Sequence, residues 1–254
     1  MKAYFDSRLR DLLELISAYG LILAVIWTPM PAQRILYWLA VVVVVGFTVL
    51  RREKLHLLGL APTETRRSLW IVGAAVVLAV LAIVAARLLG TLHALPRIGH
   101  LTARTRIVGY MIWSFVQEFL IQVFVLTRVM GLVRRRSLAI AITALLFAVA
   151  HIPNPVLIWL TLLWAFIACP FFLRYRNLYA LGLAHGILGL CVAVTVPDAL
   201  HHHMRVGLGY LRYRPPHHLL HGSVHRSSAP HSVSTQAWVI DEAAILRSER
   251  HARP

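Results

Sequence analysis

Gly109–Thr127 reads GYMIWSFVQEFLIQVFVLT, an apolar stretch with a single carboxylate, Glu118, at its centre. As a helix it rises about 28 Å at 1.5 Å per residue, enough to cross the roughly 30 Å hydrocarbon core of a bilayer. A carboxylate at mid-depth costs about 2.5–3.5 kcal/mol on insertion scales. Such a side chain needs a structural partner or a chemical task. The other nine Asp and Glu lie at segment ends, in loops or in the C-terminal tail, so Glu118 is where a functional reading starts.

Working outward, the rest of the chain has the same character. Of 254 residues, 59% are hydrophobic and only 14% charged, with a mean hydropathy of +0.69; soluble domains carry about 25% charged residues. The apolar runs are continuous, without the alternation of a β-barrel. These features predict an all-α polytopic membrane protein, a bundle of seven transmembrane helices. The spans fall at Leu12–Thr28, Ile35–Leu50, Leu69–Leu89, Val108–Met130, Leu138–Ile152, Val156–Phe172 and Leu178–Val196. An eighth, half-inserted segment around Ala199–Leu211 would make eight. The N-terminal apolar run lacks a small-residue cleavage site and reads as a retained span. Cys169 and Cys191 lie within apolar segments and read as small buried hydrophobes.

The net charge of +16 is accounted for by short loops and the tail, so nucleic acid is not an expected partner; the expected partners are the bilayer and a membrane-embedded or lipidated protein substrate. With the N-terminus cytoplasmic, inside loops hold Lys2, Arg8, Arg10, Arg51, Arg52, Lys54, Arg66, Arg67, Arg134, Arg135, Arg136, Arg174 and Arg176. Outside loops hold only Arg34, Arg97, Arg104 and Arg106. The excess favours a multi-pass protein with its N-terminus inside. Residues 1–197 form the predicted membrane domain. Residues 198–254, rich in His, Pro, Ser and Arg, form a polar tail expected to be weakly ordered. Nine of the fourteen histidines lie in that tail, where they read as a basic surface segment near lipid headgroups.

Only His151 and His185 fall within or at the end of apolar spans. The buried ionisable set is thus one Glu and two His on spans four, five and seven. Carboxylate with imidazole activates water, and the same groups ligate zinc. Gln122 lies one turn from Glu118, and Phe147 one turn from His151. By loop topology His151 sits outward of centre and His185 inward, about 10 Å apart in depth. Each residue also has a structural reading: Glu118 hydrogen-bonded to Gln122, His151 as a helix C-terminal cap, and His185 packed among Gly182, Gly186 and Gly189, a small-residue face for close helix approach.

Three motifs carry a resemblance. Gln117-Glu118-Phe119-Leu120-Ile121-Gln122, Phe147-Ala148-Val149-Ala150-His151 followed by Ile152-Pro153-Asn154-Pro155, and His185-Gly186-Ile187-Leu188-Gly189 resemble the EExxxR, FxxxH and HxxxN/D motifs of the CPBP family. This is the Abi, or CAAX-protease and bacteriocin-processing, group of intramembrane endopeptidases. The resemblance covers about 107–196. It implies hydrolysis of a peptide bond in a membrane-associated or lipidated protein by Glu-activated water. The implied catalytic residues are Glu118, His151 and His185, supported by Gln117, Gln122, Phe147, Asn154 and Gly189. It leaves open a divalent metal such as zinc on His151 and His185. The chain departs from the pattern at three positions. Gln117 stands where the first Glu would be, Gln122 replaces the Arg, and Gly189 the final Asn or Asp. An amide cannot serve as a base. Two alternatives therefore stand beside the enzyme: a non-catalytic binding, scaffold or immunity-type membrane protein of the same fold, and a proton-coupled transporter.

Overall fold

A computed structural model describes residues 2–52, 54–61, 65–95 and 102–214. All regular structure among them is helical. The long helices are α1 (Lys2–Trp27), α2 (Ala32–Leu50), α3 (Thr65–Leu88), α4 (Ala103–Glu118), α5 (Leu126–Leu132), α6 (Arg136–Val149), α7 (Pro155–Tyr175) and α8 (Leu178–Thr195). A π-helical segment, Phe119–Val125, joins α4 to α5 in one continuous rod. Two short helices follow α8: α9 (Asp198–His201) and α10 (Gly207–Leu211).

Five of these rods are long and apolar enough to cross a membrane: α2, α3, the rod from α4 to α5, α7 and α8. The protein is an all-α, multi-pass membrane protein, but two of the seven expected spans are of a different kind. Helix α1 carries Asp6, Arg8, Arg10, Asp11 and Glu14 in its first half. Helix α6 has only 14 residues, about 21 Å of rise. Its length is cut at Ala150 by the Pro153 and Pro155 that the sequence shows.

Helix ends follow local chemistry. Asn154 caps α7, its Oδ1 accepting from the Val156 and Leu157 amides, with Pro155 at the first helical position. Asn177 caps α8 through the Ala180 amide, while its Nδ2 donates to Ser68 on α3. Helices α4 and α8 then pack closely because α8 presents glycine. A Cβ at Gly182 would strike the Phe115 ring, at Gly186 the Met111 thioether, and at Gly189 Tyr110. The small-residue face read in the sequence is therefore the seat of α4.

The first half of α1 also overturns the expected inventory of buried ionisable groups. Asp11 and Glu14 are buried, and Arg128, on α5, is fully enclosed. Glu14 accepts from Arg51 Nε at 2.9 Å and from Arg128 Nε at 3.2 Å; Arg51 also pairs with Asp11. These acids do not sit at an exposed span edge, because α1 packs that face against α2 and α5. Arg128 Nη1 donates to Val123 O at 3.1 Å and to Thr127 Oγ1 at 3.0 Å. Thr127 Oγ1 itself donates to Val123 O at 2.5 Å. A π turn departs from the α-helical hydrogen-bond ladder, and here side chains occupy a carbonyl within it.

Residues 198–214, assigned by composition to the polar tail, fold onto the bundle; 215–254 lie outside the described residues. Asn154 Nδ2 donates to His201 O and Arg205 O, both at 2.9 Å, and the Gly207 amide to Ile152 O at 2.8 Å. Asp198 accepts from the His203 amide and from Tyr213. Burial alone would raise its carboxyl, but the His203 and Tyr213 hydrogen bonds and the His203 charge hold it well below the usual carboxylate range.

Removing one member of the α1–α2–α5 ion cluster leaves an uncompensated buried charge. Arg128→Met is expected to destabilise the protein by about 3–5 kcal/mol. Adding Glu14→Gln to Arg128→Met should recover part of that loss. Thermal unfolding in detergent of the single and double variants checks both.

Candidate active site

Glu118 is the last residue of α4, at the start of the π segment, and its side chain is 0% exposed. Three donors from three elements meet its carboxylate. Trp164 Nε1 on α7 reaches Oε1 at 2.6 Å, and His185 Nδ1 on α8 reaches the same oxygen at 2.7 Å. Gln122 Nε2, from the π segment, reaches Oε2 at 3.1 Å. The contact with Gln122 follows the one-turn spacing. The contact with His185 is the one that no local spacing defines; the glycine face of α8 creates it by drawing α4 near.

Next to this cluster lies a cavity of about 1120 Å³ with largely apolar walls, bordered by α1, α2, α3, α4, the π segment, α6, α7 and α8. Gln117, His151, Trp164 and His185 line it; Glu118 and Gln122 do not. Glu118 is thus a buried anchor behind the wall, and His185 is the residue that presents its chemistry to the cavity. Nδ1 of His185 is committed to the carboxylate, and the residue itself lines the cavity.

His151, 8% exposed, stands in the turn after α6 and binds Phe147 O through Nδ1 at 2.7 Å. This is the helix-end capping arrangement read from the sequence, yet the ring also borders the cavity. Phe147 stands beside both histidines, its ring centroid 4.9 Å from His151 and 6.1 Å from His185. The aromatic of the second motif is therefore the packing element shared by the two imidazoles. The expected depth mismatch between His151 and His185 is bridged by this ring.

The supporting residues divide. Gln117 lines the cavity, whereas Gln122 does not and donates to Glu118 Oε2. Asn154 contributes no side-chain atom to the cavity: it caps α7 and holds the 201–205 segment, which closes one end of the cavity with His201, His203 and Met204. Gly189 is a packing position for Tyr110. Trp164 is the residue that sequence reading missed. It looks like one more aromatic in TLLWAF, and only its indole N–H pointing to a buried carboxylate marks it. Its ring also lies 5.5 Å from that of His185.

A zinc-type centre needs three or four protein ligands. Among the described residues no three His, Cys, Asp or Glu are grouped to hold a metal ion. The described residues therefore supply fewer ligands than such a centre takes.

Residues 101–191 match the family model for Rce1-like proteins, described as type II CAAX prenyl endopeptidase Rce1-like. The matched region spans α4 through most of α8 and contains Gln117, Glu118, His151 and His185. No curated protein and no solved structure matches the chain.

Asn154→Ala removes the α7 cap and both links to the 201–205 segment. It is expected to cost about 1–2 kcal/mol of stability. Faster limited proteolysis within 196–214, at unchanged rates for the α6–α7 pair, would show that the loss is concentrated in this closure.

Proposed function

We propose that the protein is an intramembrane endopeptidase of the CAAX-protease type, hydrolysing a peptide bond of a membrane-embedded or lipidated protein substrate. The observation that carries this reading is the Glu118–His185 contact at the wall of a large apolar cavity, within the region that matches a CAAX prenyl endopeptidase family.

The chemistry differs from a direct Glu-activated water. Glu118 is enclosed by Trp164, His185 and Gln122 and does not reach the cavity. It acts on His185, fixing the tautomer with a proton on Nδ1, so that Nε2 is the base. This is the carboxylate–imidazole logic of a catalytic triad, with water in place of a side-chain nucleophile. Water attacks the substrate carbonyl carbon and gives its proton to His185 Nε2. The resulting imidazolium is stabilised by Glu118. The Gln117 amide, in the cavity wall, supplies N–H donors to the oxyanion. His151, with Nδ1 donating to Phe147 O, presents Nε2 as an acceptor that orients the water. The tetrahedral intermediate collapses, the C–N bond breaks, and the proton on His185 passes to the leaving amine. Apolar walls keep other water away from the reacting carbonyl and admit the lipid or transmembrane part of the substrate.

His185→Ala, His151→Ala and Glu118→Gln are each expected to lower cleavage of a lipidated reporter peptide in reconstituted vesicles by about 10²–10⁴-fold. Gln117→Ala is expected to lower kcat by about 10²–10³-fold with little change in KM. Wild-type activity in His185→Ala would sink the base assignment. Retention of the reporter by wild-type protein without any cleavage would favour the binding-protein alternative.

A further inference from the structure

Arg106 closes the first turn of α4 and lies in the wall of the same cavity. Topology from the sequence places it in an outside loop; the structure puts it inside the helix, half-buried. Its Nε and Nη1 are buried and have no hydrogen-bond partner among the described residues. None of the described acidic residues lines the cavity. Asp198, the acid of the segment that closes the cavity, is occupied by His203 and Tyr213. Among the described residues this guanidinium, held against apolar walls, has no counter-charge, which makes it a seat for an anionic ligand.

Where Arg106 sits specifies the rest of the ligand. Arg106, Tyr110, Trp113 and Gln117 follow one helix face and all border the cavity. Eleven residues separate Arg106 from Gln117, about 16 Å of rise. That is about half the roughly 30 Å hydrocarbon core. The cavity thus joins a cation near the membrane end of α4 to a polar site at mid-depth, through apolar walls. Its wall includes Trp38, Ile112 and Leu163, which are also exposed on the outside of the bundle, so it opens sideways to the bilayer. A molecule with an anionic group at headgroup level and a hydrocarbon chain reaching mid-bilayer matches both the charge and the depth.

We infer that this cavity is a binding site for an anionic phosphoglyceride, with the headgroup phosphate on the Arg106 guanidinium and one acyl chain running down α4 toward Gln117 and His185. The planar fork of Arg suits phosphate, and its Nε and Nη1 form the bidentate edge. A lipid in this position shares the cavity with any substrate, so the local anionic lipid content sets how often the site is open. The inference concerns binding and stands whether or not the protein cleaves peptides.

The test is lipid retention by the full chain reconstituted in nanodiscs of equal phosphatidylglycerol and phosphatidylcholine, released into detergent and read by native mass spectrometry. Wild type is expected to retain one phosphatidylglycerol in preference to phosphatidylcholine. Arg106→Gln should lower that preference about tenfold, Arg106→Lys should keep part of it, and Arg104→Gln, at an exposed neighbour, should leave it unchanged. Equal retention of the two lipids by wild type, or an undiminished preference in Arg106→Gln, would overturn the proposal. Brominated acyl chains read the tail position: they should quench Trp113 and Trp164 in wild type, and less in Arg106→Lys. No difference in quenching between the two would also count against it. Neither readout uses cleavage, so failure here leaves the peptidase reading in place.

Discussion

The Glu118 carboxylate is the constraint around which the bundle core is arranged. It is fully enclosed, and three donors from separate parts of the chain converge on it: Gln122 from the π segment, Trp164 from α7 and His185 from α8. Charge-assisted hydrogen bonds of this kind are roughly twice as strong as neutral ones, and in a low-dielectric interior an unmet carboxylate is among the costliest groups to hold. The relative placement of α4, α7 and α8 is therefore tied to one functional group. The same bonds that make its burial tolerable also orient His185, so in the proposed mechanism stability and chemistry depend on one contact.

A second polar cluster, distant in sequence, supports the first through the backbone. Arg128 is held by Glu14 on α1 and stacks over Phe124, 4.1 Å from the ring centroid. Its Nη1 meets the Val123 carbonyl within the π segment. That segment begins immediately after Glu118 and contains Gln122. A π turn is a local departure from the α-helical ladder, and such departures concentrate at functional sites. Here Arg128 and Thr127 occupy a carbonyl of the irregular turn, and α1 anchors Arg128. The charged half of α1, unsuited to a simple membrane span, is explained by this role.

The membrane class and most of the helix runs were legible from the sequence because hydropathy is a local property; Glu118, His151 and His185 stood out there as ionisable groups in apolar runs, and the structure brings Glu118 and His185 into contact. Asn154 was legible only as part of a motif; its cap on α7 is local, but its grip on His201 and Arg205 is not. The Glu14–Arg128 pair was hidden because 114 residues separate its members, and nothing near Glu14 indicates which face of α1 is covered. Trp164 was hidden because an indole in an apolar run looks the same whether its N–H meets a carboxylate or lipid. The π segment leaves no mark in FLIQVFV, since its cause is tertiary. Residues 198–214 were read as tail because their composition is polar, whereas backbone hydrogen bonds to Asn154 and Ile152 decide their position.

The departures from the EExxxR pattern have a consistent physical logic in this geometry. An Arg at position 122 would give Glu118 a permanent cationic partner. Gln122 instead donates a neutral hydrogen bond to Oε2, and Oε1 is shared by His185 and Trp164. A Glu at position 117 would put a second carboxylate in the cavity wall, one residue from Glu118, where the two charges would repel without the Arg between them. Gln117 avoids that repulsion and adds an N–H donor. Together the two amides replace a fixed ion pair with a carboxylate–imidazole pair whose attraction grows when the imidazole gains a proton. An electrostatic interaction that is stronger in a charged intermediate than in the resting state is the kind that the proposed reaction would use. In the proposed mechanism, these two amides go together with a base at His185 and with Glu118 as the carboxylate that orients it.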